Sequence, residues 1–283
     1  MDEPRIDELT GRETMGHDFD GIEELNTPMP RWWLITFYVT ILWGIGYTIA
    51  YPAWPMISGA TAGVLGFSTR GEVAADISAH QDANAELEGA LLAADLAALD
   101  PQSDLHRYAI ARGASVFRAQ CSQCHGAGAA GATGYPNLLD NAWLWGGDLE
   151  SISFSVRHGI RNETDEDARW SEMPAFGDIL EASEIASLAE FLPTLATGGG
   201  DTAGAVLYEE NCASCHGEDG TGDREQGAPN LADAIWLYGS DTESLVETIT
   251  NSRFGVMPAW GQRLSEADVR AVSAYVHSLG GGE

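Results

Sequence analysis

Cys121-Ser-Gln-Cys124-His125 and Cys212-Ala-Ser-Cys215-His216 repeat one five-residue pattern and use all four cysteines of the chain. Cysteines three apart share one helical turn, so both sulfurs reach the same side. That spacing suits thioether bonds to the two vinyl groups of one haem, with the next histidine aimed at the iron. Each copy therefore reads as a c-type haem attachment site, and two haem c groups are expected. Cys121, Cys124, Cys212 and Cys215 would be the covalent anchors; His125 and His216 would be the first axial ligands. Two cysteine pairs could instead hold a structural zinc or work as a dithiol couple. Neither alternative explains a histidine directly after both pairs.

An iron that only carries electrons needs a second axial ligand and no vacant position. Met173 and Met257 recur in matching contexts, Met173-Pro174-Ala175-Phe176-Gly177 and Met257-Pro258-Ala259-Trp260-Gly261. Proline fixes the loop and removes an amide donor, which lets the thioether be presented rather than wound into a helix. A Met/His pair also raises the reduction potential. Met1, Met15, Met29 and Met56 have no such context. Sequence order leaves open whether each methionine serves its own repeat or the other one.

The elements around these residues repeat as well. Gly113-x-x-x-Phe117 and Gly204-x-x-x-Tyr208 precede the two motifs, placing a glycine and an aromatic on one helical face. Pro136-Asn137-Leu138 and Pro229-Asn230-Leu231 follow, and the proline carbonyls are candidate acceptors for the histidines' other ring N–H. Trp143-Leu144-Trp145-Gly146 and Trp236-Leu237-Tyr238-Gly239 come next and would wall the pockets. The first copy then carries nine extra residues, 162–170, before its methionine. Each copy closes on an amphipathic helix, at 183–192 and at 266–279, the latter after the capping pair Ser265-x-x-Asp268. Phe191 and Tyr275 hold equivalent places there and should pack on the Gly–aromatic face of the first helix of the unit. His158 reads as a surface or propionate-side residue; Arg157 and Arg253 are candidates to neutralise propionates. Each unit has about 85 residues, too small for a large core without its cofactor.

Residues 32–57 differ in kind: no charge falls between Arg31 and Arg70. A helix over this stretch would span the roughly 30 Å of a hydrocarbon core. Trp32 and Trp33 at one end, with Tyr51 and Trp54 at the other, match an aromatic belt. A cleaved signal peptide would start basic and have a shorter apolar run; here an acidic segment precedes it. The expected organisation is an acidic, extended cytoplasmic tail (1–31), a transmembrane helix (32–57), a helical linker (58–104) and two haem domains (105–197 and 198–283). The fold class is all-α: one N-terminal transmembrane helix and two tandem class I cytochrome c domains. Haem is attached to this motif outside the bacterial inner membrane, which sets the N-terminus inside and the haem domains in the periplasm. The formal charge of −29 on 283 residues excludes nucleic acid as a partner and favours a basic docking protein. No acid, base or nucleophile constellation appears, so no bond chemistry of its own is expected.

Taken together, the tail 20–26, the entry Pro28-x-Pro30-Arg31-Trp32-Trp33 and the exit Tyr51-Pro52-Ala53-Trp54-Pro55 resemble the dihaem subunit (subunit III) of cbb3-type cytochrome c oxidases. The resemblance covers essentially the whole chain. It implies a membrane-anchored electron-entry subunit on the periplasmic face that draws on a cytochrome c or a bc1 complex. Its electrons would pass to a monohaem cytochrome c subunit and on to a catalytic haem–copper subunit that reduces oxygen to water. It also implies that the methionines are exchanged, with His125/Met257 on the first haem and His216/Met173 on the second. A dihaem carrier for another membrane dehydrogenase, or a dihaem peroxidase, would share the haem motifs but not this tail and anchor.

Overall fold

The computed structural model describes residues 4–200 and 202–282. They divide into two compact units, Met1–Ala83 and Asn84–Glu283.

In the first unit the acidic tail is not extended, as its composition suggested. Strands β1 (Thr14–Phe19) and β2 (Ile22–Leu25) pair antiparallel. Asp20 and Gly21 both take positive φ, 57° and 84°, which is what a two-residue turn between twisted strands requires. Arg5 clamps the hairpin through Glu23 at 2.9 Å. Helix α1 (Arg31–Ala50) follows. Its 20 residues rise about 30 Å, and none of them is buried. An apolar helix with no protein covering it needs an apolar solvent, which a bilayer core supplies. Among the described residues it is the one helix long and apolar enough to cross a membrane. The helix is shorter than the expected 32–57. It stops at Tyr51 because Pro52 follows, and a short ladder, β3 (Pro55–Met56) with β4 (Gly59–Ala60), fills the remainder.

Within 58–104 the chief element is α2 (Thr69–Ala93). The helices beyond it are α3 (Asp104–Val116), α4 (Ser122–His125), α5 (Leu149–His158), α6 (Ala182–Phe191), α7 (Ala203–Asn211), α8 (Ala213–His216), α9 (Thr242–Asn251) and α10 (Glu266–Ser278). Side chains cap most starts: Ser103, Asp148, Thr202, Asp241 and Ser265 each accept an amide of the first turn.

The packing does not follow the repeat boundary near residue 198. Helix α6, from the first repeat, packs on α7 and α9 of the second; α10, from the second, packs on α3 and α5 of the first. Two cores result. One joins Phe117, Ile152 and Val156 to Val269, Val272 and Val276. The other joins Ile185, Leu188 and Phe191 to Tyr208, Leu245 and Ile249. The contiguous haem domains 105–197 and 198–283 describe the repeat in sequence; each packed body draws its closing helix from the other copy. The reason is the connection between α6 and α7. A 3-10 turn over Leu192–Thr197 and Gly198-Gly199-Gly200, all at positive φ, fold the chain straight back. Helices joined so closely pack on each other, and α3 and α10 are left to pair.

Glycine makes both crossings close. A Cβ on Gly113 would lie 2.6 Å from the Ala271 carbonyl carbon and 2.7 Å from Tyr275 Cβ. A Cβ on Gly204 would lie 2.5 Å from Phe191 Cβ. The aromatic partners are accordingly Phe117 with Tyr275 and Tyr208 with Phe191, centroids 5.5 and 5.7 Å apart. The end of α2 seats Leu91 against Ala109 and Ala271. Arg112 bridges Glu88 at 2.7 Å and Asp268 at 2.8 Å.

Gly113→Ala should cost about 1–3 kcal/mol by overpacking and should loosen α10, the last helix of the chain, rather than α6. Amide exchange checks this: protection should fall across residues 266–278 and persist across 182–191. Loss confined to 182–191 would contradict the exchanged packing.

Candidate haem sites

A π-helical turn, Phe117–Cys121, widens the chain just before α4, so α3 ends and the attachment turn begins with Phe117 buried beneath it. In the second copy Cys212 interrupts α7 and α8 at the same place. Cys121 and Cys212 are half-buried, and Cys124 and Cys215 are exposed. Burial pushes the Cys121 and Cys212 thiols up to about 11, with the neighbouring cysteine adding to the effect. Such thiols are not the activated thiolates of a redox pair. Cys121 and Cys212 also pack in different cores. Among the described residues no cysteine joins a cluster of three or more possible metal ligands, which leaves a shared zinc without a site.

Both histidines are held alike. His125 Nδ1 lies 3.0 Å from the Pro136 carbonyl, and His216 Nδ1 lies 3.0 Å from that of Pro229. A carbonyl can only accept, so Nδ1 carries the proton and Nε2 keeps its lone pair for a metal. Burial holds both imidazoles below their usual range, opposed by the bond to the proline carbonyl. They are therefore neutral, the form that ligates.

Met257 packs in the core that contains Cys121, Phe117 and Trp143. Met173 packs in the core that contains Cys212, Tyr208 and Trp236. Each methionine thus lies with the attachment turn of the other repeat. The Met257 backbone is pinned by a reciprocal pair with Ile160, at 3.0 and 2.9 Å. The Met173 carbonyl accepts from Ser252 Oγ. Arg161 ties the two methionine segments together: its Nε donates to Gly255 O at 2.7 Å and Nη1 to Ser171 O at 3.0 Å. The donor set of paired thiols, a neutral imidazole and a thioether in one apolar core fits a c-type haem iron.

Of the charged residues singled out for propionates, Arg157 pairs with Glu266 at 2.5 Å. Arg253 donates to Thr248 Oγ1 and Ser244 O and lies over the Tyr238 ring. His158 donates to Asp165 at 3.1 Å, and that bond holds the Asp165 carboxyl below its ordinary range. Arg161 and Arg169, at either side of the extra loop, went unnoticed in the sequence. Their only early sign is that two arginines bracket an acidic insertion.

An apolar anchor helix followed by two such helical bodies defines a tandem c-type cytochrome. The chain matches the N-terminal domain of cytochrome oxidase-cbb3, FixP, over residues 11–58. It matches cytochrome c oxidase, cbb3-type, subunit III over residues 109–192 and 200–276. It is 57% identical to the cbb3-type cytochrome c oxidase subunit CcoP of Cereibacter sphaeroides, over 95% of both chains. It is 48% identical to the subunit FixP of Rhizobium etli over the full length of both, and 50% identical to CcoP of Rhodobacter capsulatus over 96% of both. The chain belongs to the subunit III family of cbb3-type cytochrome c oxidase.

Arg161→Gln should destabilise the haem-bearing unit by about 1.5–3 kcal/mol, the usual worth of hydrogen bonds to a charged group. Exchange should rise in both methionine segments, near residues 171–173 and 255–257. A change in only one of them would show that Arg161 does not join the two.

Proposed function

We propose that this chain is a membrane-anchored dihaem electron carrier that feeds a cbb3-type terminal oxidase. α1 holds it to the bilayer, with its N-terminus cytoplasmic and both haem bodies in the periplasm. Cys121 and Cys124 bind the first haem covalently, and Cys212 and Cys215 the second. His125 and Met257 would hold the first iron, and His216 and Met173 the second. The observation that carries the pairing is the packing of each methionine with the opposite attachment turn.

Bound haem supplies a one-electron couple between ferrous and ferric iron. The protein contributes the rest. Pro136 and Pro229 fix the imidazole tautomer. The thioethers favour the reduced state and set a high potential. The apolar cores would keep water from the irons, and a histidine with a methionine at each would leave no position for peroxide, which disfavours a peroxidase. Electrons would enter from a cytochrome c or a bc1 complex. They would leave through a monohaem subunit to the haem–copper centre of a partner, where oxygen is reduced. The acidic surface suits a basic donor docking over these haems.

Haem staining of the denatured chain should show covalent porphyrin, lost only when both cysteine pairs are removed. In a C212A/C215A background, which keeps the first haem alone, Met257→Ala should abolish the weak Met–iron absorption band. Met173→Ala should leave it in place. The reverse result would sink the exchanged pairing and leave the carrier reading intact. Solubilised membranes should yield the chain together with a haem–copper subunit; recovery with a dehydrogenase instead would overturn the oxidase assignment.

A further inference from the structure

Electron transfer asks nothing of the residues before α1, yet 5–26 are folded. Arg5 N donates to Thr14 Oγ1 at 3.1 Å, and Thr14 is buried. The Arg5 guanidinium clamps Glu23. Ile6 bridges to Glu13, and Asn26 N donates to Glu13 O at 2.7 Å, so the flanking segments are tied to β1 and β2. Apolar side chains nevertheless point outward: Ile22 is 71% exposed and Phe19 61%. Met15, His17 and Phe19 alternate along β1 and share one face. The His17 and Phe19 rings lie 6.2 Å apart, and Ile22 stands opposite Phe19 in the ladder.

A two-stranded ribbon is marginal in water, and an apolar face left open on it marks a surface for a partner. Charge narrows the choice of partner. Residues 4–30 carry seven carboxylates and two arginines. Glu24 follows Ile22 on the same side of β2, and Asp20 stands at the turn. Position narrows it further. Only residues 26–30 separate β2 from α1, and they span at most roughly 18 Å. The ribbon therefore lies at the membrane surface where α1 enters. On the cytoplasmic side that surface carries anionic lipid, which repels carboxylates. The loops of membrane proteins on the same side carry an excess of lysine and arginine.

We propose that the N-terminal hairpin is a docking element, and that its face of Met15, His17, Phe19 and Ile22 seats on a Lys- and Arg-rich cytoplasmic loop of a membrane-embedded oxidase subunit. The proposal goes beyond the electron-carrier reading and rests on it only for the cytoplasmic side of the N-terminus. Phe19 and Ile22 supply the apolar anchors. Asp20 and Glu24 meet cations at the rim, where charge sets partner and register more than affinity. Helix α1 keeps the hairpin in the plane of the membrane, so a contact that is weak in solution holds there at high effective concentration. The chain is thus fastened to the oxidase from the side of the bilayer opposite its haems.

The test uses the full-length chain in its own membranes. A photoreactive phenylalanine analogue at position 19 should cross-link on illumination. Mass spectrometry should place the bond in a basic cytoplasmic loop of a membrane-embedded oxidase subunit. Ile22→Ser should cut the yield roughly tenfold, the scale of losing one anchor residue of an interface. Asp20→Asn with Glu24→Gln should lower it as well, and the wild-type yield should fall as salt is raised. That charge variant keeps both apolar anchors and a residue that tolerates positive φ at the turn, so it reads docking even where Ile22→Ser unfolds the hairpin. Cross-links to lipid alone, to a soluble protein or to nothing would overturn the proposal, as would yields that neither variant changes. Leu9, 96% exposed in the turn before β1, reports the side of the membrane. Leu9→Cys should react with an impermeant thiol reagent in inverted vesicles. Reaction in intact spheroplasts instead would overturn the orientation, a result distinct from a cytoplasmic hairpin that finds no partner.

Discussion

The short, glycine-rich return between α6 and α7 decides most of the haem-bearing unit. Because it seats α6 on α7, the first repeat gives away its closing helix, and the second must send α10 back to α3. The methionine loops travel with those helices. The exchange of methionine segments between the two cores is then a consequence of a connection too short to let neighbours part. Local closure comes first in this arrangement, since α6 and α7 are adjacent in the chain. The first site closes only when residues more than a hundred positions apart meet, as Arg112 and Asp268 do. By the cost of non-local contacts, the first site should be the later of the two to form.

Charge is arranged with the same economy. Acid dominates the sequence, and several of the ion pairs among the described residues lie at the rim of the packing. Arg112 gathers Glu88 and Asp268 where α2 meets α3 and α10. Arg157 fastens α5 to α10 through Glu266. Arg161 and Arg169 bond carbonyls instead, and burial pushes both guanidinium groups below their ordinary range, opposed in part by charges nearby. Those two come from the flanks of the extra loop. The insertion that breaks the symmetry of the repeat thus also breaks the electrostatic equivalence of the two sites.

Much of this was legible in the residues. The attachment turns, the proline acceptors, the anchor and the closing helices all follow from spacing and periodicity, because each is a local pattern. The tail hairpin was legible too, in Asp20-Gly21 between Phe19 and Ile22, but its acidic composition hid it. What spacing cannot carry is which of two like helices packs on which. Phe191 and Tyr275 are equivalent in sequence, and either could cover Phe117 or Tyr208. Only the geometry of residues 192–200 separates the options. The protein partners of Arg157 and Arg253 are hidden in the sequence for a related reason. A cation near a cofactor motif is free to serve the cofactor only if no carboxylate or hydroxyl reaches it first, and that depends on tertiary neighbours.

The reciprocal packing couples the surroundings of the two attachment turns. Each wrapper is completed by a segment whose other end belongs to its neighbour, and Arg161 holds both methionine loops with one guanidinium. Gly134 N donates to Leu237 O at 2.8 Å, so a loop beside the first attachment turn also leans on the second repeat. Sites that share partners in this way do not respond additively to change. A disturbance at one methionine loop is passed to the other through a rigid bridge rather than through open solvent. Two repeats on a tether could move independently. These two are held together, because each core takes a helix from the other repeat.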